Sequence, residues 1–451
     1  MMNRKNLAFT ALCMGFFMVI LDVTIVNVVL PTIAHALKTT LSGLQWVVDG
    51  YTLSFAGFLL LVGEFSDRFG AKIIFQIGLL SFILSSLACA LSLSITELIF
   101  FRFIQGAAGA LLLPSSLALI MGLYQDAKDK AKAIGIWGSL GGLACASGPF
   151  LGGTLASLFS WRSIFLVNVV IGLISFFLVS KTIERPQVIH LIQRKFDFLG
   201  LLSGVVSISL FSYGLIEVSL YSWNSPIIIF CFIASFLGLI LFLWIESHVS
   251  HPVLPLGLFQ NKTTAIALSV SFLLNLAFYG ELFMMPFYFE NYRHYSVFMT
   301  GLAILPIPAL ALIGSYLGGK MTASKGPGST LVIGFLIAAL SLFSLLFLIK
   351  ETSLLYVWLL IPFLTLGFGL SFATPAMTFA AIHSVDPARS GIASAVLNTG
   401  NQVGSLIGVA AFGTIAAISS HFMLAMHLTL FLAGALLLIA AFLSLTIINE
   451  K

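Results

Sequence analysis

The chain has 451 residues, 59% of them hydrophobic and only 8% charged, with a mean hydropathy of +1.10. A soluble globular protein carries about 25% charged residues, so a water-facing domain is excluded and lipid must be the solvent. The formal net charge of +5 sits in short connections between apolar runs, where basic residues set membrane orientation and do not read as a nucleic-acid surface.

Fourteen apolar segments are predicted as helices, at 8–33, 44–64, 72–93, 96–121, 132–157, 162–181, 196–219, 226–246, 263–289, 298–319, 330–349, 354–380, 390–417 and 425–448. Most exceed the roughly 18 residues that suggest a spanning helix. The alternating ten-residue strands of a membrane barrel are absent. The fold class is therefore all-α, a polytopic membrane protein. The first segment is too long for a signal-peptide core and lacks a following small-residue cleavage site, so it reads as a retained helix. The four cysteines (Cys13, Cys89, Cys145 and Cys231) lie inside apolar runs and read as small fillers, not as a disulfide framework.

Orientation follows from lysine and arginine. With both termini in the cytoplasm, 16 of the 21 basic residues fall on the inner side, 4 fall outside, and Arg102 stays within a helix. The longest polar connection, residues 181–197, reads as a linker.

Segment one carries Asp22 in "FFMVILDVTIVNVVLPTI", segment two carries Asp49 and segment four carries Arg102. At 1.5 Å per residue, all three lie at one height, roughly 21 Å from the inner face of a ~30 Å core. A buried charge faces the bundle and finds a partner, so Arg102 is expected beside Asp22, Asp49 or both. A static clasp and a proton or cation site both fit that arrangement. A buried pair is often no better than apolar packing, which weighs against stability as its sole purpose.

Segment two ends in "GEFSDRFGAK", read as a tight turn with Asp67 capping the next helix and Arg68 and Lys72 at the inner interface. Segment five, "GSLGGLACASGPFLGG", is a small-residue packing surface with a bend at Pro149. Segment nine carries Glu281, with Glu290 just past its outer end, and aromatic residues near the charged layer, Phe17, Tyr51 and Tyr279 among them, are candidates to line a cavity. No metal-ligand cluster or enzyme motif stands out, and no cofactor is called for.

The chain repeats itself. Gly63 and Gly70 in segment two recur as Gly319 and Gly326 in segment ten, 256 residues on. Gly106 and Pro114 in segment four recur as Gly367 and Pro375 in segment twelve, 261 residues on. Duplicated six-helix halves with two helices inserted between them follow. The expected division is 1–185, 186–255 and 256–451. Glu281 falls near the symmetric counterpart of Asp22.

Together "LDVTIVNVVLPTI", "QWVVDGYTLSFAG", "GEFSDRFGAK", "RFIQGAAGALLLPSS", "GIWGSLGGLACASGPFLGG" and "RSGIASAVLNTGNQVGSLIG" resemble the major facilitator superfamily, in its fourteen-helix drug:proton antiporter family. The resemblance implies export by alternating access, with protons as the coupling ion. It places the acidic helix-one motif on Asp22 and the basic residue of proton coupling on Arg102. The antiporter motif falls on Gly148, Pro149, Gly152 and Gly153, and the gating motif on Gly63, Asp67, Arg68, Gly70 and Lys72. Ala323 stands where the second gating copy would carry an aspartate, so the two gates differ.

The expectation is a proton-coupled exporter of amphipathic small organic molecules, cations among them. Asp22, Arg102 and Asp49 would couple protons, and Glu281, Glu290, Phe17, Tyr51 and Tyr279 would face substrate. Its surroundings would be the plasma membrane and a small-molecule substrate, with a monomer as the default. A dedicated metabolite exporter and a transport-inactive sensor of the same fold are the alternatives.

Overall fold

A computed structural model of the chain describes residues 4–183, 197–249, 252–350, 355–386 and 390–448. The first half of the described chain holds α1 (Arg4–Val28), α2 (Leu41–Phe69), α3 (Ala71–Leu91), α4 (Ile95–Leu123), α5 (Ala127–Leu158) and α6 (Ser163–Thr182). Then come α7 (Phe198–Tyr221) and α8 (Pro226–His248). The second half holds α9 (Lys262–Phe287), α10 (Val297–Lys325), α11 (Pro327–Leu348), α12 (Val357–His383), α13 (Ser390–Ile418) and α14 (Phe422–Ile448). Thirteen of these are long and apolar enough to cross a membrane. The remaining one, α2, has 29 residues and rises about 43 Å at 1.5 Å per residue. The predicted segments match these helices one for one.

The helices are apolar on nearly all sides because lipid, not water, covers their outer faces. On α8, Phe230, Phe236 and Leu237 are exposed. Two of the turns are set by glycine. Gly70 (φ +88) separates α2 from α3, and Gly326 (φ +84) separates α10 from α11. A side chain at either would be strained in that region. These two turns are 256 residues apart, as the repeat requires.

The duplication also appears in packing. Gly106 on α4 lies against the Tyr51 carbonyl of α2, and Gly367 on α12 lies against the Ile307 carbonyl of α10. The two glycines keep the 261-residue offset and the two carbonyls the 256-residue offset. A Cβ at either glycine would fall inside the van der Waals shell of a backbone oxygen. Gly106→Ala and Gly367→Ala are therefore expected to destabilise by about 1–3 kcal/mol, read as lowered melting temperatures of the purified protein. Gly122→Ala, with open space around it, is expected to melt at or above wild type.

The chain divides into two compact units, Met1–Phe196 with Ser296–Leu302, and Asp197–Tyr295 with Ala303–Lys451. In the first, Leu12, Val19, Phe55, Phe75, Leu79 and Phe82 form the buried centre. In the second, α7 and α8 clasp each other through Ser207 Oγ to Ser235 O (2.6 Å) and Ser235 Oγ to Ser207 O (2.8 Å). The α13 residue Thr414 donates to Leu215 O of α7 (2.7 Å), so the inserted pair packs on the C-terminal helices.

Candidate functional site

Asp22 sits on α1 with 0% of its surface exposed, and Arg102 on α4 with 2%. Arg102 Nη1 donates to Asp22 Oδ2 at 2.5 Å and to Gln105 Oε1 at 2.8 Å. The other carboxylate oxygen, Asp22 Oδ1, accepts from Gln105 Nε2 at 3.0 Å and from Asn168 Nδ2 of α6 at 2.7 Å. Gln105 Nε2 also donates to Ser86 Oγ of α3 at 2.8 Å. Arg102 Nε donates to Val47 O of α2 at 3.0 Å, and its guanidinium lies 4.2 Å from the Tyr51 ring centroid. Five helices of the first unit thus converge on one ion pair.

This arrangement offsets the cost of burying two charges. An ion pair in a low-dielectric interior repays its desolvation only when further hydrogen bonds satisfy the remaining donors and acceptors. Here both carboxylate oxygens and the guanidinium have them. The cluster is charge-balanced, and removing either charge would leave its partner buried.

Asp22, Asp49 and Arg102 share one height by residue count, and the structure separates them by direction. Arg102 pairs with Asp22 and not with Asp49. Its contact with α2 is to the Val47 carbonyl. Asp49 is fully buried, and neither of its carboxyl oxygens has a hydrogen-bond partner among the described residues. Height follows from counting residues, whereas the rotation of α2 about its axis does not. Tyr51 stands in the charged cluster as the ring over Arg102. Phe17 is half-buried on α1, and its neighbour Phe16 stacks on Trp137 with centroids 3.9 Å apart.

Three partners were not singled out from the sequence: Gln105, Asn168 and Ser86. Gln105 carried a usable signal, since it lies three residues after Arg102 and so shares its helix face. Asn168 is one neutral amide in an apolar run and gives no such sign.

The gating motif differs from the turn expected of it. α2 continues as helix through Phe69, so only Gly70 forms the turn and is also the N-cap of α3, without a side-chain cap. Lys72 is buried at the start of α3 and donates to the Ile183 carbonyl just past the end of α6. Arg68 is exposed and lies 5.5 Å over the Phe69 ring. The side chains at Gly63 and Asp67 lie outside the described residues, as do Arg185, Arg194, Lys195, Arg389 and Lys451.

The small-residue motif of α5 packs on α1 just past Asp22. Gly148 meets the Thr24 side chain and Gly152 the Ile25 carbonyl. Gly153 meets Val297 and Phe298, which belong to the same unit. Pro149 lies inside the helix and leaves the Cys145 carbonyl without its usual donor.

In the second unit, Glu281 is the twentieth residue of α9, as Asp22 is the nineteenth of α1. It is 3% exposed, and neither carboxyl oxygen has a hydrogen-bond partner among the described residues. Glu290 lies in the π-helical turn Tyr288–Tyr292 that follows α9, half-buried, with Oε1 unpartnered among the described residues. Tyr279 is half-buried, edge-on to Phe278 at 5.1 Å between centroids.

Comparison with known proteins agrees with this architecture. The family model for the Major Facilitator Superfamily matches residues 12–200 and 196–409. The chain is 35% identical over 435 residues to the methylenomycin A resistance protein of Bacillus subtilis, covering 96% of this chain and 92% of that one. It is 34% identical over 417 residues to the multidrug resistance protein Stp of Mycobacterium tuberculosis, covering 92% and 77%. Among solved structures, a bacterial homologue of the lysosomal transporter Spinster superposes with a TM-score of 0.70 at 15% identity, covering 100% and 98% of the two chains. At that identity the likeness speaks for the fold alone. On the family match, the long relatives and the paired six-helix halves, the chain belongs to the Major Facilitator Superfamily of membrane transporters, among its fourteen-helix drug-resistance members.

Proposed function

We propose that the protein is a proton-coupled exporter that moves amphipathic small organic molecules, cations among them, across the plasma membrane by alternating access. The observation that carries this reading is the Asp22–Arg102 pair: a carboxyl group within α1, fully buried and held by three donors. A proton arriving at Asp22 removes one charge of the pair. Arg102 keeps Val47 O, Gln105 Oε1 and the Tyr51 ring, so the cluster loosens without losing every contact. α1 and α4 then separate more easily, and α5, packed on α1 beside Asp22, follows. Substrate binding and proton release would return the pair to its closed form.

In this reading Asp22, Arg102 and Asp49 couple protons. Glu290, Phe17 and Tyr279 face substrate, with Tyr51 bridging to the charged cluster, and Glu281 assists. Gly63, Asp67, Arg68, Gly70 and Lys72 gate one end. Gly148, Pro149, Gly152 and Gly153 let α5 slide on α1. Both termini lie in the cytoplasm, and the chain works as 1–185, 186–255 and 256–451. A narrower cargo has specific support: relatives carry the names methylenomycin A resistance protein and tetracenomycin C resistance and export protein, each naming one antibiotic.

The test is accumulation of an ethidium-type dye by inverted membrane vesicles with an imposed proton gradient. Gradient-dependent accumulation that collapses with a protonophore is the expected result. If dye is ignored but one antibiotic discharges the gradient, the exporter is a dedicated one. If neither moves protons or cargo, the reading fails.

A further inference from the structure

Glu281 differs from Asp22 in a way that assigns it a separate role. Asp22 has three donors, one of them the Arg102 cation. Glu281 has no cation among the residues that line its cavity. The hydroxyl of Thr429 on α14 lies within its reach but also donates to Met426 O at 3.1 Å. Around the carboxyl group stand Phe278, Leu282 and Met285 of α9, Ile307 of α10, Leu366 of α12 and Leu437 of α14, with a cavity of about 10 Å³ among them. That is room for about one water.

Among the described residues no cation lines the cavity, and α10 carries Lys320 and Lys325 only in its last two turns. α13 carries no titratable side chain at all. α12 has His383 at its far end. On α14, the ring of His427 is engaged with Ile349 O at 2.8 Å. An isolated carboxylate in such surroundings would cost far more than the neutral acid does.

Helix irregularities lie beside the cavity. Pro286 lies inside α9 one residue past Met285, and the π-turn Tyr288–Tyr292 follows directly. α10 is interrupted by the short Pro306–Ala309 segment that contains Ile307. Pro362 lies inside α12 one turn before Leu366. Proline removes a backbone hydrogen bond, and kinks and π-turns concentrate there. Three broken helices around one acid give it a way to reach water when they flex.

We infer that Glu281 is a second proton-binding group, enclosed within the C-terminal bundle with space for one water, and not the counter-charge of an organic cation. Its use in transport rests on the proton-coupled reading above; the site itself does not. Proton exchange there needs only the carboxyl and a water, with the proton passing between Glu281 and that water when the broken helices part.

The test is infrared spectroscopy of the purified full-length protein at neutral pH, in H₂O and D₂O, on wild type, Glu281→Gln and Asp22→Asn. A protonated carboxyl gives a C=O stretch separate from the amide bands. The expected result is that Glu281→Gln loses part of that band and Asp22→Asn retains it. Glu281→Gln should also melt at the wild-type temperature, because glutamine mimics the neutral acid, and should bind ethidium as wild type does. An undiminished band overturns the inference. So does a lowered melting temperature, which would show that the fold needs the ion, or a loss of ethidium binding, which would return Glu281 to the substrate. None of these readouts measures transport. A protein that fails the vesicle test can still carry the Glu281 proton, and the reverse.

Discussion

Asp22→Asn is expected to abolish gradient-driven transport while leaving a folded protein that still binds substrate. Asparagine keeps the side-chain volume and an oxygen that accepts from Gln105 Nε2 and Asn168 Nδ2, now 3.0 Å and 2.7 Å from Asp22 Oδ1. The group facing Arg102 Nη1 becomes a donor against a donor, and the charge is gone. Arg102 keeps Val47 O, Gln105 Oε1 and the Tyr51 ring, so its loss is partial. The chemistry lost is total: an amide does not pick up and release a proton at neutral pH. Asp22 has no exposed surface, so substrate affinity should be close to that of wild type by tryptophan-fluorescence quenching. Dye accumulation in inverted vesicles should fall to the level of empty vesicles. Were Asp22 only a clasp, accumulation per folded molecule would match wild type.

How far the sequence reveals this site depends on the quantity. Hydropathy fixes helix number and length, because a segment surrounded by lipid must be apolar for about twenty residues. It also fixes height: counting at 1.5 Å per residue placed Asp22 and Arg102 in one layer, where they pair. It does not fix direction. A helix apolar on all sides carries no stripe that says which face turns inward, so Asp49 looked as good a partner for Arg102 as Asp22 did. Lys72 illustrates the same limit. Its place beside a turn suggested the membrane interface, and says nothing of the Ile183 carbonyl to which its ammonium donates. Spacing told more than chemistry did for the duplication. Gly106 and Gly367 recur because two helix pairs come close enough to exclude a Cβ, and a steric requirement of that kind survives in sequence as a fixed offset.

Arg102→Met should be the most destabilising single change at the site, and Asp22→Asn in the same chain should reverse most of the damage without restoring transport. Methionine fills the space but leaves Asp22 an uncompensated buried carboxylate with only the Gln105 and Asn168 amides as donors. Breaking a buried pair from one side costs about 3–5 kcal/mol, enough to lower the yield and melting temperature of a marginally stable membrane protein. The double variant removes both charges, and a neutral pair in a well-packed interior is often as stable as the ions it replaces. The melting temperature should therefore rise from Arg102→Met to the double variant, a positive coupling in a double-mutant cycle. Transport should not follow, since the restored fold has no acid at that position. Recovery of both together would mean that the ion pair is a clasp and that coupling lies elsewhere, with Asp49 the first residue to test. Recovery of stability alone would separate two functions of the pair: its net charge of zero lets it be buried, and under the proposed coupling a proton that breaks that balance would let the bundle change state.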